Sequence, residues 1–493
     1  MGGAAGATDL SDVGPSASDG SAIDLGAADL GAADGSAIDV SATDLGAADP
    51  GAADRLPQTP AVEIVRRRPP RVDGGPLPAV GDGPRRYIDA LLAALRGIDG
   101  SYVAVQGPPG TGKTYVGSHV VAELVAGGWR VGVVAQSHAV VANFLQKVVS
   151  AGVSPAQVAK KLPAGAKPDP EVPWRELDGK GLAAHAAAGP GVVGGTAWDF
   201  ANETSYAESC LDLLVIDEAG QFSLANTVAV GRSARRLLLL GDPQQLPQVT
   251  QGQHPEPVDV SALSHLAGDH AVLPGELGYF LETTWRMHPE VTAPVSRLSY
   301  DGRLRAEAAA AGRSLTGVEP GVGCVRVEHT GNVQSSAEEA EEVVRQVRAV
   351  VGRTWDDGKT EPAEGATDPE RPPVGRPLEA ADILVVAAYN AQVGVVQDAL
   401  DRAGLAAVRV GTVDKFQGQE APVAILTTAA SSPAEVPRGM GFLLSRNRIN
   451  VAVSRAQWRA VVVRSDRLTD YLPATPDELA ELGAFIALCA GDA

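Results

Sequence analysis

The chain is 493 residues long, with 44% hydrophobic, 4% aromatic and 20% charged residues and a formal charge of −19. This is long enough to bury two sizeable cores and excludes a collagen-like or wholly disordered chain. Three cysteines, Cys210, Cys324 and Cys489, lie far apart with no CxxC pair, so neither a disulfide framework nor a four-cysteine zinc or iron-sulfur site is expected. No apolar run has the length a bilayer requires and the N-terminus lacks signal-peptide regions; the expected partners exclude a membrane, and the expected location is cytoplasmic.

The first 54 residues hold ten aspartates and no Lys, Arg or Glu, which leaves the remainder at about −9, so local patches matter more than the total. From Asp19 to Asp54 an aspartate recurs every fifth residue. The pattern resembles the A-D-L-x-x consensus of pentapeptide-repeat proteins. With Gly20, Gly35 and Pro50 at central positions and only about two coils' worth of repeats, the expectation is an acidic, disordered tail. Residues 55–84, rich in Pro, Gly and Arg, read as a linker.

Short apolar runs then alternate with helical patterns: Tyr102 to Val105, Val131 to Val134, Leu213 to Ile216 and Leu237 to Leu240. That is the pattern of a parallel sheet with crossover helices. A second series is expected from near Leu281, with Ile383 to Val386, Ala407 to Val410, Val423 to Leu426 and Val461 to Val463. The expected fold is α/β: a first domain over 85–278 and a second over 279–493, with Trp355 to Pro377 an exposed loop.

The first strand runs into Gly107-Pro108-Pro109-Gly110-Thr111-Gly112-Lys113-Thr114 and a helical run from Tyr115 to Leu124, a P-loop in its required context. Glycines let successive N–H groups turn inward on phosphate oxygens, and the helix N-terminus adds partial positive charge. Lys113 supplies a point charge between β- and γ-phosphates, and the Thr114 hydroxyl can ligate Mg²⁺. A buried strand ending in Asp217-Glu218 places two carboxylates where ligands of open α/β sheets bind. Asp217 is expected to hold Mg²⁺, and Glu218 to orient and deprotonate the attacking water. Gln245, in Gly241-Asp242-Pro243-Gln244-Gln245, carries a neutral amide suited to sensing hydrolysis at the γ-phosphate.

Eight motifs, from GPPGTGKT through AQSHAVV (135–141), GGTAWDF (194–200), VIDEAGQ (215–221), GDPQQLPQV (241–249), TTWRMHP (283–289) and VGTVDKFQGQE (410–420) to RINVAVSRA (448–456), stand in one order. The set resembles the superfamily 1 helicases, in the branch containing the nonsense-mediated-decay helicase and the Okazaki-fragment nuclease-helicase. The resemblance implies two tandem RecA-like domains with ATP and Mg²⁺ in the cleft between them. It implies that Arg286 and Arg455 reach the γ-phosphate, that Trp285 stacks on adenine and that Glu420 binds the ribose. Nucleic acid would cross both domains over Ser137, His138, Thr196, Tyr389, Asn390 and Thr412.

Some positions depart from the family: Trp285 replaces Tyr, His138 replaces Asn, Ser454 replaces Thr, and Arg85 to Leu95 holds no adenine-reading glutamine. The N-terminal position of a RecB-like nuclease domain in some relatives is taken by the aspartate repeat. The implied activity is a nucleic-acid-stimulated ATPase and helicase, a monomeric motor moving 5′ to 3′ on single-stranded or overhang-bearing DNA or RNA. A remodeller without unwinding and a nucleotide-gated scaffold are the alternatives.

Overall fold

A computed structural model of the chain describes residues 57–490 apart from 164, 249–251, 253 and 359–374. The period-five tail lies outside the described residues. The segment expected to be a linker contains helix α1 (Pro60–Val65), started by Thr59, whose side chain accepts from the Val62 amide, and by Pro60 at its first position. Ile64 is fully buried, and buried Glu63 accepts from Arg71 and Ser101. The linker expectation is therefore corrected. Composition alone hid an apolar face that is covered by the first sheet's helices.

After α2 (Arg86–Gly97), the first sheet takes up β1 (Tyr102–Gln106), β2 (Arg130–Val134), β3 (Val158–Lys161), β4 (Arg175–Leu177), β5 (Gly191–Gly195), β6 (Leu213–Asp217), β7 (Leu237–Gly241) and β8 (Gly278–Phe280). Their order is β4-β3-β5-β2-β6-β7-β1-β8, and every pairing is parallel. Interleaved are α3 (Lys113–Ala126), α4 (His138–Ser150), α5 (Gly179–Ala188), α6 (Ala197–Ala201), α7 (Leu224–Gly231) and α8 (Ala262–Ala267). Both faces are dry. Val103, Val105, Val131, Val133, Val215, Leu238 and Leu240 pack under α2, α3 and α4, whereas Tyr102, Ala104, Leu214, Ile216, Leu237 and Leu239 pack under α1, α7 and α8. That double burial is why these strands read as continuous apolar runs.

The expected boundary after residue 278 falls inside β8, whose hydrogen bonds to β1 tie it to the first sheet. A small β9 (Thr283–Thr284) and β10 (Arg305–Ala306) pair follows, with α9 (Pro289–Ser299) between them. The second large sheet begins only at β12 (Gly321–Val327), after β11 (Ser314–Leu315), rather than near Leu281. Next come α10 (Ala337–Val350), β13 (Thr354–Asp356), β14 (Arg376–Pro377), β15 (Ile383–Ala387), α11 (Asn390–Arg402), β16 (Arg409–Thr412), β17 (Ala421–Thr427), α12 (Met440–Leu443), α13 (Arg446–Val453), β18 (Ala456–Ser465) and α14 (Pro476–Cys489).

The second sheet has the order β12-β18-β17-β15-β16 and is wholly parallel. One face carries α10 and α11, the other α9, α13 and α14. The core beneath α9 and α13 also takes in Leu246, Val272 and Phe280 from the first half, so the two lobes share an apolar seam. Trp355, expected in an exposed loop, is corrected to a buried residue of β13, which joins β11 and β14 in a small antiparallel sheet and packs edge-on against Trp458. No helix among the described residues is long and apolar enough to cross a membrane.

Candidate functional site

The P-loop leaves β1 and enters α3 through Gly110 and Gly112, whose φ angles of 75° and 81° lie in the left-handed region that glycine tolerates. The Lys113 ammonium donates to the Gly107 carbonyl at 2.6 Å, and the Thr111 hydroxyl donates to the Pro108 carbonyl at 2.8 Å. A Cβ at Gly107 would overlap the Lys113 side chain. The loop is thus closed over its own lysine.

Asp217 ends β6 and is almost fully buried. Burial, reinforced by the neighbouring Glu218 charge, pushes its carboxyl up to about 7, and Lys113 pulls in the opposite direction. Glu218 adopts φ 53°, an unfavourable backbone state for a side chain of its size, directly after the end of β6.

The segment leaving the first sheet docks on this loop. The Trp285 amide donates to the Gly110 carbonyl at 2.9 Å and the Thr284 hydroxyl to the Pro109 carbonyl at 2.9 Å. A Cβ on Gly110 would stand 2.5 Å from Arg286 Cβ, so only glycine permits this approach. Arg286 therefore sits beside the phosphate loop. Its guanidinium donates to Glu420 at 2.7 Å and to the Ser454 carbonyl at 3.1 Å. Arg286, with burial opposing, holds the Glu420 carboxyl below its ordinary value. Trp285 is 59% exposed, an open platform next to the loop.

Arg455 is 1% exposed, and its guanidinium donates to the carbonyls of Val451 (2.8 Å), Gln419 (3.0 Å) and Phe416 (3.4 Å). Burial and the Arg286 charge bear down on its own charge, while Tyr300, Glu218 and Glu420 favour it. Lys113, Asp217, Glu218, Arg286, Arg455 and Glu420 therefore form one electrostatic neighbourhood spanning both sheets. Arg313 also belongs here and has no motif to announce it: it donates to the carbonyls of Trp285 and Arg286.

Gln245 is buried, and its amide donates to Asp242 at 3.0 Å. Asp242 is the centre of a network that sequence reading missed. It also accepts from Gln106 (3.3 Å), from the Gln244 amide (3.1 Å) and from the Tyr300 hydroxyl (2.7 Å). Asn450 on α13 donates to that hydroxyl at 2.7 Å and to the Gln244 carbonyl at 2.8 Å, and Asn447 to the Gln245 carbonyl at 2.6 Å. Asn450 lies five residues before Arg455, so the backbone that carries Gln245 is held by the helix that leads into an arginine.

The nucleic-acid candidates fall into two groups at the carboxyl ends of neighbouring strands. Ser137, after β2, caps α4 through the Val140 amide, and His138 begins that helix with a buried Nδ1 that has no partner. Burial, then Lys160, lowers the His138 pKa. Thr196, after β5, donates to Asp199 at 2.9 Å at the start of α6. On the second sheet, Tyr389, Asn390 and Thr412 line one groove with Arg438, Phe442 and Arg448. The two guanidinium carbons lie 4.9 and 4.1 Å from the Phe442 ring centroid, a cationic-aromatic cluster that sequence spacing did not reveal.

The donor set fits Mg²⁺ and a triphosphate: a hydroxyl on the first turn of α3 and a buried carboxylate beside an ammonium, with the remaining oxygens left to phosphate and water. Two parallel sheets, the first ending in a closed phosphate loop against which the segment between them docks Arg286, define a P-loop NTPase with tandem RecA-like lobes. Two family profiles, each described as an AAA domain, match consecutive parts of the chain, residues 89–265 and 259–467.

The chain is 25% identical over 375 residues to the Gallus gallus "DNA replication ATP-dependent helicase/nuclease DNA2", covering 73% of this chain and 34% of that protein. It is 29% identical over 276 residues to the Rattus norvegicus "DNA-binding protein SMUBP-2", covering 52% of this chain and 25% of that protein. It thus spans about a third and a quarter of these two relatives. A crystal structure of Arterivirus nonstructural protein 10 (helicase) aligns with TM-score 0.39 and 17% identity, over 73% of this chain and 59% of that one. The two AAA-domain matches together take in residues 89–467 of a chain that is similar to helicases over most of its length.

Proposed function

We propose that the chain is a nucleic-acid-stimulated ATPase that translocates 5′ to 3′ as a monomer on single-stranded or overhang-bearing DNA or RNA, and separates duplexes. The observation that carries this reading is the contact of Gly110 with Trp285 and Arg286, which sets the Arg286 backbone against the phosphate loop while its guanidinium bonds Glu420 and Ser454 of the second half.

In this mechanism the inward amides of the P-loop and Lys113 hold the β- and γ-phosphates, and Thr114 and Asp217 hold Mg²⁺. When bound there, the cation would offset phosphate charge during transfer. Glu218 orients the attacking water and takes its proton, and Gln245 hydrogen-bonds the γ-phosphate region. Arg286 and Arg455 meet the charge that develops, a contribution of about 10³ to 10⁵ in rate. Trp285 stacks on the base. Glu420 exchanges its bond to Arg286 for the ribose, so nucleotide entry would free the arginine it now holds. Ser137, His138, Thr196, Tyr389, Asn390 and Thr412 grip the strand through polar groups, with Arg438 and Arg448 supplying local positive charge. Directed motion requires that the ATP-bound and ADP-bound states hold the strand with different affinity.

Lys113→Ala and Glu218→Gln are expected to abolish ATP turnover, measured with poly-dT and poly-U side by side. Thr412→Ala is expected to retain basal turnover and lose stimulation. A fluorescent duplex with a 5′ overhang should be opened and one with a 3′ overhang left intact. Wild-type turnover in Glu218→Gln would overturn the catalytic assignment, and turnover without strand displacement would leave a remodeller of nucleic-acid complexes.

A further inference from the structure

Cys324 and Cys489, separated by most of the second lobe in sequence, meet in space. Cys324 lies on β12 opposite Val462 of β18, and Arg326 lies opposite Arg464 in the same parallel register. Side chains of paired and alternate residues share a face, so Cys324, Val462 and Arg464 point together toward the side covered by α14. That helix packs Leu482, Phe485 and Leu488 onto the same core, and Cys489, one turn beyond Phe485, follows at its end. The two cysteines pack against the same core, and each sulfur feels the other and the Arg464 guanidinium.

Arg464 is an independent sign that this place is built for charge. It is 7% exposed, its Nη1 donates to the Ser465 carbonyl at 2.8 Å, and its guanidinium lies 5.9 Å from the Phe485 ring. Its Nε is buried with no hydrogen-bond partner. A buried donor without an acceptor is costly, and an anionic sulfur beside it relieves that cost. Both residues are partly exposed.

We propose that Cys324 and Cys489 form a hydroperoxide-reactive thiol pair that closes to a disulfide and ties α14 to the edge strand β12. The Cys324 thiolate attacks a peroxide oxygen and breaks the O–O bond. The product is a sulfenic acid, and hydroxide or alkoxide leaves and takes a proton. The Cys489 sulfur then attacks Cys324 sulfur, an S–S bond forms, the S–OH bond breaks, and the departing hydroxide takes the Cys489 proton as water. Two thiols are oxidised and one peroxide is reduced by two electrons. The pairing with Cys489 and the Arg464 charge favour a thiolate at Cys324 against burial, whereas its partner's sulfur and burial disfavour one at Cys489. Burial raises Cys210, which keeps it a slow thiol.

The test uses the full chain, exposed to hydrogen peroxide, blocked with N-ethylmaleimide and digested for mass spectrometry. The expected result is a Cys324–Cys489 linked peptide, a fall from three free thiols to one, and a rise in melting temperature that dithiothreitol reverses. At pH 7, before oxidation, Cys324 should alkylate about fivefold or more faster than Cys210. In Cys489→Ser, dimedone should trap Cys324 as its sulfenic acid, and Arg464→Gln should slow oxidation several-fold. Three free thiols after peroxide, or equal labelling of Cys324 and Cys210, overturns the proposal. An unchanged oxidation rate in Arg464→Gln overturns the guanidinium's part in it.

Discussion

Tyr300→Phe is the most direct perturbation of the link between the lobes, because it removes one oxygen and preserves the ring. That hydroxyl is fully buried, donates to Asp242 at 2.7 Å and accepts from Asn450 at 2.7 Å. The variant loses a charge-assisted bond of about 1.5–3 kcal/mol and a neutral one of about 0.5–1.5 kcal/mol. Asp242 keeps Gln245 and Asn450 keeps the Gln244 carbonyl, so neither partner is wholly stranded. The expected destabilisation is about 2–4 kcal/mol. With an unfolding entropy of about 2.1 cal/mol/K per residue over roughly 430 folded residues, this lowers the melting temperature by about 2–5 °C in calorimetry.

Tyr471→Phe, a partly exposed site, serves as control and should shift stability by less than about 0.5 kcal/mol. ATP turnover in Tyr300→Phe should also fall, by about tenfold or more, because Asp242 orients Gln245 and Asn450 belongs to the helix leading to Arg455. A variant that melts with the wild type and turns over ATP at the wild-type rate would refute the claim that this network couples the lobes.

Gly110→Ala combines an alanine in left-handed backbone, costing about 1–2 kcal/mol, with a methyl group driven into Arg286. It should weaken binding of a fluorescent ATP analogue. Arg455→Lys replaces a fork that serves three carbonyls with a single ammonium, so it should lower stability by about 2–3 kcal/mol in denaturant titrations and turnover by about 10³-fold. His329 is buried, which lowers its pKa, but the hydrogen bond and charge of Glu339, with Glu338 and Asp466 behind it, raise it overall. A raised folded-state pKa adds stability that is full below the unfolded value of 6.5 and is lost as pH rises through the folded one. Melting temperature should therefore fall more steeply above pH 6.5 in the wild type than in His329→Gln.

The strands flanking the nucleotide site were legible because both faces of each sheet are covered, which turns them into apolar runs ending in Asp, Gly or Thr. The P-loop was legible because its glycines, lysine and threonine are fixed by local geometry. What escaped was decided by distant partners. Pro60 to Val65 looked like linker because its apolar face is short, although Thr59-Pro60 is a helix-start signal. The polar neighbours of Trp355 read as loop, yet Trp458, a hundred residues on, supplies its packing. Arg313, Tyr300 and the Phe442 cluster act through contacts that no spacing encodes. The cysteines looked isolated because 165 residues of chain must fold before they meet.

Only a few residues separate Phe280, the last of β8, from Arg286, and on the way the chain touches the phosphate loop at Pro109 and Gly110. The covalent link between the halves therefore runs directly against the phosphate loop. In the proposed cycle, a change at that loop would pass straight into the stretch of chain that joins the two halves.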